Sequence, residues 1–326
     1  MALFCFLGGK VVRISLIMGS SCNVDQIEES YSFVTRVLMK SSITFTFISG
    51  IVLVASAAHG QIVFSNTATP GDHFTNPLPV AANQMLTNYS GPNGEVATYR
   101  ETKGGATVGI NTTMPRNGNG SVWFSANGLA QKSEIAVGTS FNLTGDSTGS
   151  LGLFDSMTAL SADLFTQSSS ISNQAAVVRI ELFSATDGGG RYGSLVFDTS
   201  WSPSHFGTFT FGQWNNVNLM GNAGITWLRA TSGINTAYGS GTGVDNGERT
   251  LSDWMTQLGS KGYNVISVNS GIGTFDGQFE GGMDNLTFGF NGNNTTHNFE
   301  VVPEPASLAV LGLGALGLIR RKKAKK

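Results

Sequence analysis

Three carboxylates recur at four-residue spacing near the end of the chain, at Asp276, Glu280 and Asp284. Asp284 leads into an apolar row formed by Leu286 and Phe288, so we expect it to share their strand face. Because Ca²⁺ prefers oxygen ligands, the three carboxylates form a candidate calcium site, and Ca²⁺ is the one cofactor that the sequence suggests. The structural alternative is an aspartate that accepts hydrogen bonds from backbone amides at a strand start, and no EF-hand spacing accompanies the three.

A second set of carboxylates suits a different chemistry, because two carboxylates flanking a glycosidic bond can hydrolyse it. Glu181, Asp187 and Asp198 lie on or beside neighbouring predicted strands. Glu181 faces away from the apolar row of its strand and is therefore expected to line a concave outer face. An ordinary solvated strand face is the alternative. Since no motif singles out an acid and a nucleophile, we assign no catalytic residue.

Nucleophilic catalysis finds less support in the sequence. The histidines that follow the predicted export signal lie far apart, each near a loop, at His73, His205 and His297. No Gly-x-Ser-x-Gly elbow accompanies them. The only cysteines, Cys5 and Cys22, precede Met39. An exported chain that starts at Met39 therefore has no thiol nucleophile, disulfide or cysteine zinc site.

Aromatic side chains offer a binding chemistry instead, because an exposed tryptophan ring can stack on a sugar ring. The tryptophans of the chain are Trp123, Trp201, Trp214, Trp227 and Trp254. Trp214 and Trp227 lie within strand patterns, which favours a place in the core. Trp201 precedes Pro203 and a loop, and it is the residue that we expect to form an exposed platform for ligand stacking.

The elements that must position these side chains are mostly strands, because apolar and polar residues alternate at period two along the chain. The clearest strand is 176–184, in which Arg179 and Glu181 face away from an apolar row. A glycine-rich turn at 187–190 then predicts a hairpin with 194–199. Many short strands between Gly-rich turns predict an all-β fold, an antiparallel β-sandwich of the jelly-roll kind.

One segment departs from the strand pattern. Leu251, Trp254 and Leu258 recur at helical spacing. Thr250 and Asp253 supply a start like that of a capping box. The sequence therefore predicts one short amphipathic helix, packed on a sheet.

Charge and length narrow the function further. Residues 61–302 carry 17 acidic and nine basic side chains, a net charge of −8, although the whole chain is near neutral because its end is basic. An acidic surface argues against binding to nucleic acid, whose phosphates attract cations. A length of about 240 residues is typical of a single domain that buries a sizeable core.

Residues 39–60 are typical of a signal peptide, with a lysine, an apolar stretch that we expect to be helical, and then small residues. Cleavage is predicted between Ala57 and Gln61. Met39 would then be the true initiator, which makes residues 1–38 a misannotated N-terminal extension. The alternative is a long leading region that stays in the cytoplasm until cleavage.

The end of the chain has three parts in a fixed order. Pro303, Glu304 and Pro305 hold the backbone extended, because proline fixes φ and has no amide hydrogen. Residues 306–319 are uncharged and shorter than the ~20 residues of an ordinary membrane-spanning helix. The basic residues that follow are expected in the cytoplasm by the positive-inside rule, and they are Arg320, Arg321, Lys322, Lys323, Lys325 and Lys326.

This order of motif, apolar helix and basic end resembles the PEP-CTERM sorting signal of Gram-negative bacteria that make exopolysaccharide. The resemblance implies export by a translocase, an intermediate anchored in the inner membrane by the C-terminal transmembrane helix, and cleavage near the motif by an exosortase. The protein would then reach the cell surface or the extracellular matrix. A plain C-terminal anchor and a merely solvated basic tail are the alternatives. The resulting division is a β-sandwich domain at 61–290, a flexible linker at 291–302 and the sorting signal at 303–326.

From residue 120 to residue 290, the order of features is similar to a β-sandwich domain frequent among PEP-CTERM proteins. The pieces that carry this resemblance are residues 178–181, 195–197, 212–214, 225–227, 263–268 and 283–287. The resemblance implies a jelly roll of the lectin-like or galactose-binding-like kind. It supports the fold and implies no particular activity.

These patterns leave three functions open for an exported β-sandwich protein. The first, which we favour, is a non-enzymatic binding or matrix module associated with exopolysaccharide. The second is a glycan-active hydrolase that uses a carboxylate pair. The third is a structural surface protein without a specific ligand.

Overall fold

The computed structural model describes residues 2–7, 10–15, 60–75, 84–92, 94–139, 149–200, 207–239, 247–273 and 277–303. The chain divides into two compact units, residues 1–58 and 59–326. In the first unit, β1 (Ala2–Leu7) and β2 (Lys10–Ser15) form an antiparallel hairpin. The predicted signal helix and the predicted C-terminal helix lie outside the described residues.

The second unit consists of short strands with few helices. Its strands are β3 (Gly60–Ala68), β4 (Gln84–Met85), β5 (Val96–Lys103), β6 (Thr107–Asn111), β7 (Ser121–Asn127), β8 (Lys132–Gly138), β9 (Gly152–Leu153), β10 (Met157–Ser169), β11 (Val177–Ser184), β12 (Arg191–Phe197), β13 (Trp214–Asn218), β14 (Trp227–Ala230), β15 (Glu248–Thr250), β16 (Asn264–Ile272), β17 (Gln278–Phe290) and β18 (Asn293–Val302). Among its described residues, the α-helices are α1 (Ser232–Tyr238) and α2 (Leu251–Gly259), and 3₁₀ turns lie at Phe154–Ser156 and Asp187–Gly189.

One sheet has seven strands among the described residues, and β13, β10, β17, β18 and β3 follow one another in it. β17 is its central strand, because residues 278–283 pair with β7 and residues 286–290 pair with β18 on the same edge. β6 extends the sheet beyond β7. Every pair in this sheet is antiparallel except β18 with β3, which run parallel.

The other sheet has nine strands among the described residues, and eight of them follow the order β15, β14, β12, β11, β16, β8, β5 and β4. β9 pairs with the start of β16. All of these pairs are antiparallel. The predicted hairpin is present as β11 and β12.

The core lies between the two sheets and takes one face of each strand. In β11 it takes Val178, Ile180 and Leu182, and from the seven-stranded sheet it takes Phe124 and Leu164, all fully buried. Burial of an aliphatic or aromatic side chain of this size stabilises a fold by about 1.5–3 kcal/mol. The predicted all-β sandwich is therefore confirmed.

The predicted amphipathic helix is α2. The Thr250 hydroxyl accepts a hydrogen bond from the amide of Asp253 at 3.2 Å, as its place at the helix start predicts. Trp254 is fully buried, and its indole N–H donates to the Leu228 carbonyl at 2.9 Å. The helix is thus held both by its cap and by the apolar face that the sequence predicts.

A second helix, α1, was not predicted from the sequence. Its seven residues bury only Ile234, so they lack the apolar spacing by which a helix is recognised. Among the described residues, no helix is both long enough and apolar enough to cross a membrane.

The predicted linker at 291–302 is corrected by the structure. Residues 293–302 form β18, which pairs with both β17 and β3, so the sandwich continues to Val302 rather than ending at Phe290. Asn291 and Gly292 have φ of 52° and 83° and form the turn of the β17–β18 hairpin. Asn-Gly suits such a turn because both residues tolerate positive φ.

Candidate functional site

The outer face of the nine-stranded sheet carries polar side chains in neighbouring rows. Thr98, Ala136, Asn269 and Arg179 lie opposite one another on β5, β8, β16 and β11. Because directly opposed residues of an antiparallel pair point to the same side of a sheet, this row shares one face. We call this surface the polar face and define it by Thr98, Arg100, Lys132, Glu134, Arg179, Glu181, Tyr192, Ser267 and Asn269.

Ion pairs join the middle of the polar face. Arg100 Nε lies 2.9 Å from Glu134 Oε1, and Arg179 Nη1 lies 3.1 Å from Glu134 Oε2. Arg179 Nη1 is also 3.7 Å from Glu181 Oε1. Gly271 is the neighbour of Glu134 on β16, and a Cβ there would stand 2.6 Å from the Glu134 Cβ. A glycine at this position therefore leaves room for the Glu134 side chain.

Hydrogen bonds extend this network to the next strands. Asn269 Nδ2 donates to Glu181 Oε1 at 3.2 Å, and the Tyr192 hydroxyl donates to Glu181 Oε2. Arg100 also lies close enough to the Tyr192 side chain to interact with it electrostatically. The network thus crosses from β5 to β12.

The proximity of Arg100 and Tyr192 indicates that the polar face is concave. β5 and β12 are separated by β8, β16 and β11, so they lie four strand spacings apart. On a flat sheet this separation is about 19 Å, which is too far for two side chains to meet. Since Arg100 and Tyr192 interact, the sheet curves toward this face.

The cations of the network lie above its carboxylates. The side chains of Arg100 and Arg179 are 17% and 15% exposed, whereas those of Glu134 and Glu181 are 2% and 1% exposed. Burial favours the neutral form of Glu134, but Arg179, Lys132 and Arg100 outweigh it and hold the pKa of this carboxyl below its ordinary value. Glu134 is therefore ionised at neutral pH.

Three uncharged polar atoms on the polar face have no hydrogen-bond partner. They are Thr98 Oγ1, Ser267 Oγ and Asn269 Oδ1, and all three residues are buried. Buried polar atoms in folded proteins are nearly always hydrogen-bonded to protein or water. Two hydroxyls and an amide oxygen without partners can together donate to and accept from a bound polar molecule.

The fold places the three proposed catalytic carboxylates at different points along their strands. Glu181 lies mid-strand in β11, whereas Asp187 and Asp198 lie beyond opposite ends of β12. The seven residues of β12 span about 23 Å, so these two aspartates do not flank one bond. Asp187 Oδ2 accepts hydrogen bonds from Arg191, Tyr238 and Tyr263, and Asp198 Oδ1 accepts from Ser200.

The candidate calcium ligands are only partly described. Glu280 and Asp284 lie on β17 with Gly282 between them, which separates the two positions by about 13 Å along the strand. Asp276 lies outside the described residues, and within those residues no group of three potential metal ligands occurs. Asp284 Oδ1 accepts from the amides of Asn285 at 2.8 Å and Phe299 at 3.0 Å. The calcium site stays a prediction.

The tryptophans take several different places. Trp201, the predicted stacking platform, lies outside the described residues. Trp227 is half-buried, and Trp254 is in the core. Trp214 is half-buried on the outer face of the seven-stranded sheet, in one row with Phe165, Gly282 and Trp123. The predicted core position of Trp214 and Trp227 is therefore wrong, because alternation alone does not say which face of a strand is covered.

The polar face was largely missed by sequence reasoning. Its one visible signal was the alternation in β11, which places Arg179 and Glu181 together. Arg100, Glu134 and Asn269 join them only through strand register, which no local pattern reveals.

The sorting residues begin where the sandwich ends. Pro303 is exposed and directly follows β18. The remaining residues predicted for this signal lie outside the described residues, and they are Glu304, Pro305, Arg320, Arg321, Lys322 and Lys323. Residues 301–323 match the model of the PEP-CTERM protein-sorting motif.

The chain carries a PEP-CTERM sorting signal. This signal implies export, sorting to the cell surface and processing by an exosortase. No curated protein matches the chain.

Two solved structures share similarity with this chain. One is the family 30 carbohydrate-binding module of a cellulosomal cellulase of Clostridium thermocellum, with 14% identity, a TM-score of 0.32, and coverage of 68% of this chain and 96% of that one. The other comes from a study of promiscuous carbohydrate-binding modules of the β-sandwich superfamily, with 9% identity, a TM-score of 0.25, and coverage of 64% and 63%.

Proposed function

We propose that this protein is a non-enzymatic module, sorted to the cell surface, that binds exopolysaccharide on its polar face. The observation that carries the proposal is the set of unpartnered atoms on Thr98, Ser267 and Asn269 at the bottom of a concave sheet face. Sugar hydroxyls both donate and accept hydrogen bonds, so a glycan supplies what these hydroxyls and this amide oxygen lack. A glycan is also a ligand to be expected at the surface to which a PEP-CTERM signal directs a protein.

Binding fits the polar face better than hydrolysis does. A glycosidase needs one carboxyl whose raised pKa keeps it protonated as the general acid. The pKa of Glu134 is instead lowered by the cations around it. Glu181 is buried beneath Arg179, Tyr192 and Asn269, so its oxygens are already occupied. The carboxylates of this face therefore act as supports for the cations rather than as acid and nucleophile.

Export and sorting supply the route to the ligand. After translocation, residues 306–319 hold the chain in the inner membrane as an intermediate, with Arg320 and the following cations in the cytoplasm. An exosortase then cuts near Pro303, and the sandwich reaches the cell surface or the extracellular matrix. In this proposal the sandwich is a jelly roll of the lectin-like or galactose-binding-like kind, and jelly rolls include lectin domains.

The test is a pair of serine variants of the full-length chain. Ser267→Ala removes an unpartnered hydroxyl from the polar face. Ser270→Ala removes an equally buried hydroxyl that also has no hydrogen-bond partner, and Ser270 lies opposite the core residue Val178 of β11. Loss of one hydrogen bond to a ligand corresponds to a roughly three- to tenfold weaker affinity. We expect Ser267→Ala to weaken saturable binding to the host's exopolysaccharide by that factor, with no loss of stability.

Ser270→Ala is the matched control and should leave the affinity unchanged. Equal affinities of both variants and the parent would move the site away from the polar face. A complete lack of saturable binding by the parent chain would favour the structural surface role instead.

A further inference from the structure

The last residues of β18 leave β17 before the strand ends. β17 pairs with β18 only at residues 293–297, because β7 occupies the same edge of β17 at residues 278–283. The other edge of β18 pairs with β3 as far as Val302. Without a further partner, residues 298–302 would therefore present unpaired backbone groups at one edge, directly before the exposed Pro303.

Side chains take the place of the missing strand along this edge. The Phe299 amide donates to Asp284 Oδ1 at 3.0 Å, and the Val301 amide donates to Asn119 Oδ1 at 3.0 Å. Asn119 Nδ2 in turn donates to the Val301 carbonyl at 3.0 Å. One side-chain amide thus makes both of the hydrogen bonds that a neighbouring strand would make to Val301.

The loop that carries Asn119 is itself fixed to β18. Glu300 Oε2 accepts hydrogen bonds from the amides of Asn119 at 2.6 Å and Gly120 at 3.0 Å. A Cβ at Gly120 would lie 2.7 Å from the Val301 nitrogen, and a Cβ at Gly118 would overlap the Glu300 carboxylate. Glycine at both positions therefore lets the loop approach this closely. We call residues 118–120 and Glu300 the clamp.

The clamp holds the chain where the sorting motif begins. Val301 is the first residue that the motif matches, and it is fully buried. The Val302 amide is held from the other edge by Ser65 Oγ at 3.0 Å, and Pro303 is exposed. Because a protease needs accessible backbone, the clamp determines where the accessible segment starts.

We propose that Asn119 is a positioning residue for processing by the exosortase, because it holds residues 299–302 in the sheet and so confines cleavage to the chain after Val302. A strand end opens locally when the few hydrogen bonds that hold it are weakened, without unfolding of the whole domain. Loss of the Asn119 side chain therefore exposes new backbone to the exosortase. This role is independent of glycan binding on the polar face, which belongs to the other sheet.

The experiment compares Asn119→Ala with a matched variant of the same loop. Ser121→Ala is the control, because the Ser121 hydroxyl donates to the Met114 carbonyl at 2.7 Å within the loop. The full-length chains are produced in the host, and intact mass gives the last residue of each mature protein. We expect Asn119→Ala to add mature chains that end before Val302, whereas Ser121→Ala keeps the parental end.

Hydrogen exchange of the purified full-length chains tests the clamp without the enzyme. Loss of one hydrogen bond should make the amides of residues 299–302 exchange at least roughly threefold faster in Asn119→Ala, with no change in β11 or β16. Asn119→Asp is a nearly isosteric second variant that keeps the acceptor and loses the donor to Val301. We expect it to shift both measurements in the same direction, so the role can be tested even where the alanine variant folds poorly.

Three results would overturn the role of Asn119. The first is a single parental end in both Asn119 variants. The second is the appearance of the same additional ends in Ser121→Ala, which would indicate general loosening of the loop. The third is the persistence of those ends in a host without the exosortase, which would assign them to another protease.

Discussion

Asp284 is a carboxylate that the fold buries completely at a split in the seven-stranded sheet. β17 pairs with β7 through Met283 and with β18 from Leu286, so Asp284 lies where the two partners part. Its Oδ1 accepts two backbone amides, whereas its Oδ2 has no hydrogen-bond partner. It accepts backbone amides, as the structural alternative to calcium binding predicts, although it lies within β17 rather than at a strand start.

The titration of Asp284 should make the protein less stable as the pH rises. Burial, helped by the charges of Glu300 and Asp163, raises its pKa to about 7 despite the two amides. An unfolded aspartate titrates near a pKa of about 3.9, so between about pH 4 and pH 7 the folded state holds the extra proton. The free energy of unfolding then falls as pH rises, with a contribution of up to about 1.4 kcal/mol per pH unit.

Asp284→Asn tests this directly, because the amide cannot lose a proton. We expect the variant to lack this downward slope in urea unfolding between pH 5 and pH 8, and to match or exceed the parent in stability at pH 8. Asp155→Asn, at an exposed aspartate, is the control and should keep the parental slope. An unchanged slope in Asp284→Asn would show that another group is responsible.

At the scale of an element, the local sequence pattern was sufficient to predict helix α2. Thr250 caps the helix, and Leu251, Trp254 and Leu258 are buried on one side. We expect Thr250→Ala to lower the free energy of unfolding by about 1 kcal/mol, the usual effect of a lost cap. Thr256→Ala, on the exposed side of the same helix, should change it by less than about 0.5 kcal/mol. Urea unfolding of both variants measures the difference, and equal losses would mean that the hydroxyl of Thr250 does not act as a cap.

Strands were harder to predict than this helix, for a physical reason. The alternation in β11 correctly separates Val178 and Ile180 from Arg179 and Glu181, because the period of a strand is fixed. The same alternation does not say which strand lies beside it, so the network with Arg100 was not foreseeable. Register depends on contacts between distant segments, and these are absent from any local pattern.

The strand β18 was predicted as a linker for a different reason. Asn291 and Gly292 are a strong signal for a hairpin turn, but they begin a polar run that also suits a flexible spacer. What decides between the two is the parallel pairing of β18 with β3, from the other end of the sandwich. That contact spans more than two hundred residues and lies beyond any prediction from the segment itself.

At the scale of the whole molecule, the pairing of β3 with β18 forms one edge of the seven-stranded sheet, and the residues of the sorting motif begin in that edge. Val301 is fully buried, and its amide donates to Asn119 Oδ1 at 3.0 Å. The amide of Val302 donates to Ser65 Oγ at 3.0 Å. The residues matched by the sorting motif therefore start inside the last strand, and Pro303 is the first of them that is exposed.

This arrangement predicts where processing can occur. A protease needs an accessible, extended backbone, and the backbone up to Val302 is occupied by the sheet. From Pro303 to the start of the apolar run at Ala306, only about 10 Å of extended chain is available. We expect intact-mass measurement of the protein from the cell surface to place its last residue at or after Val302. A host without the exosortase is the control and should retain a chain that ends at Lys326. A mature end before Val302 would mean that processing removes part of β18, and hence that the sandwich opens before or during sorting.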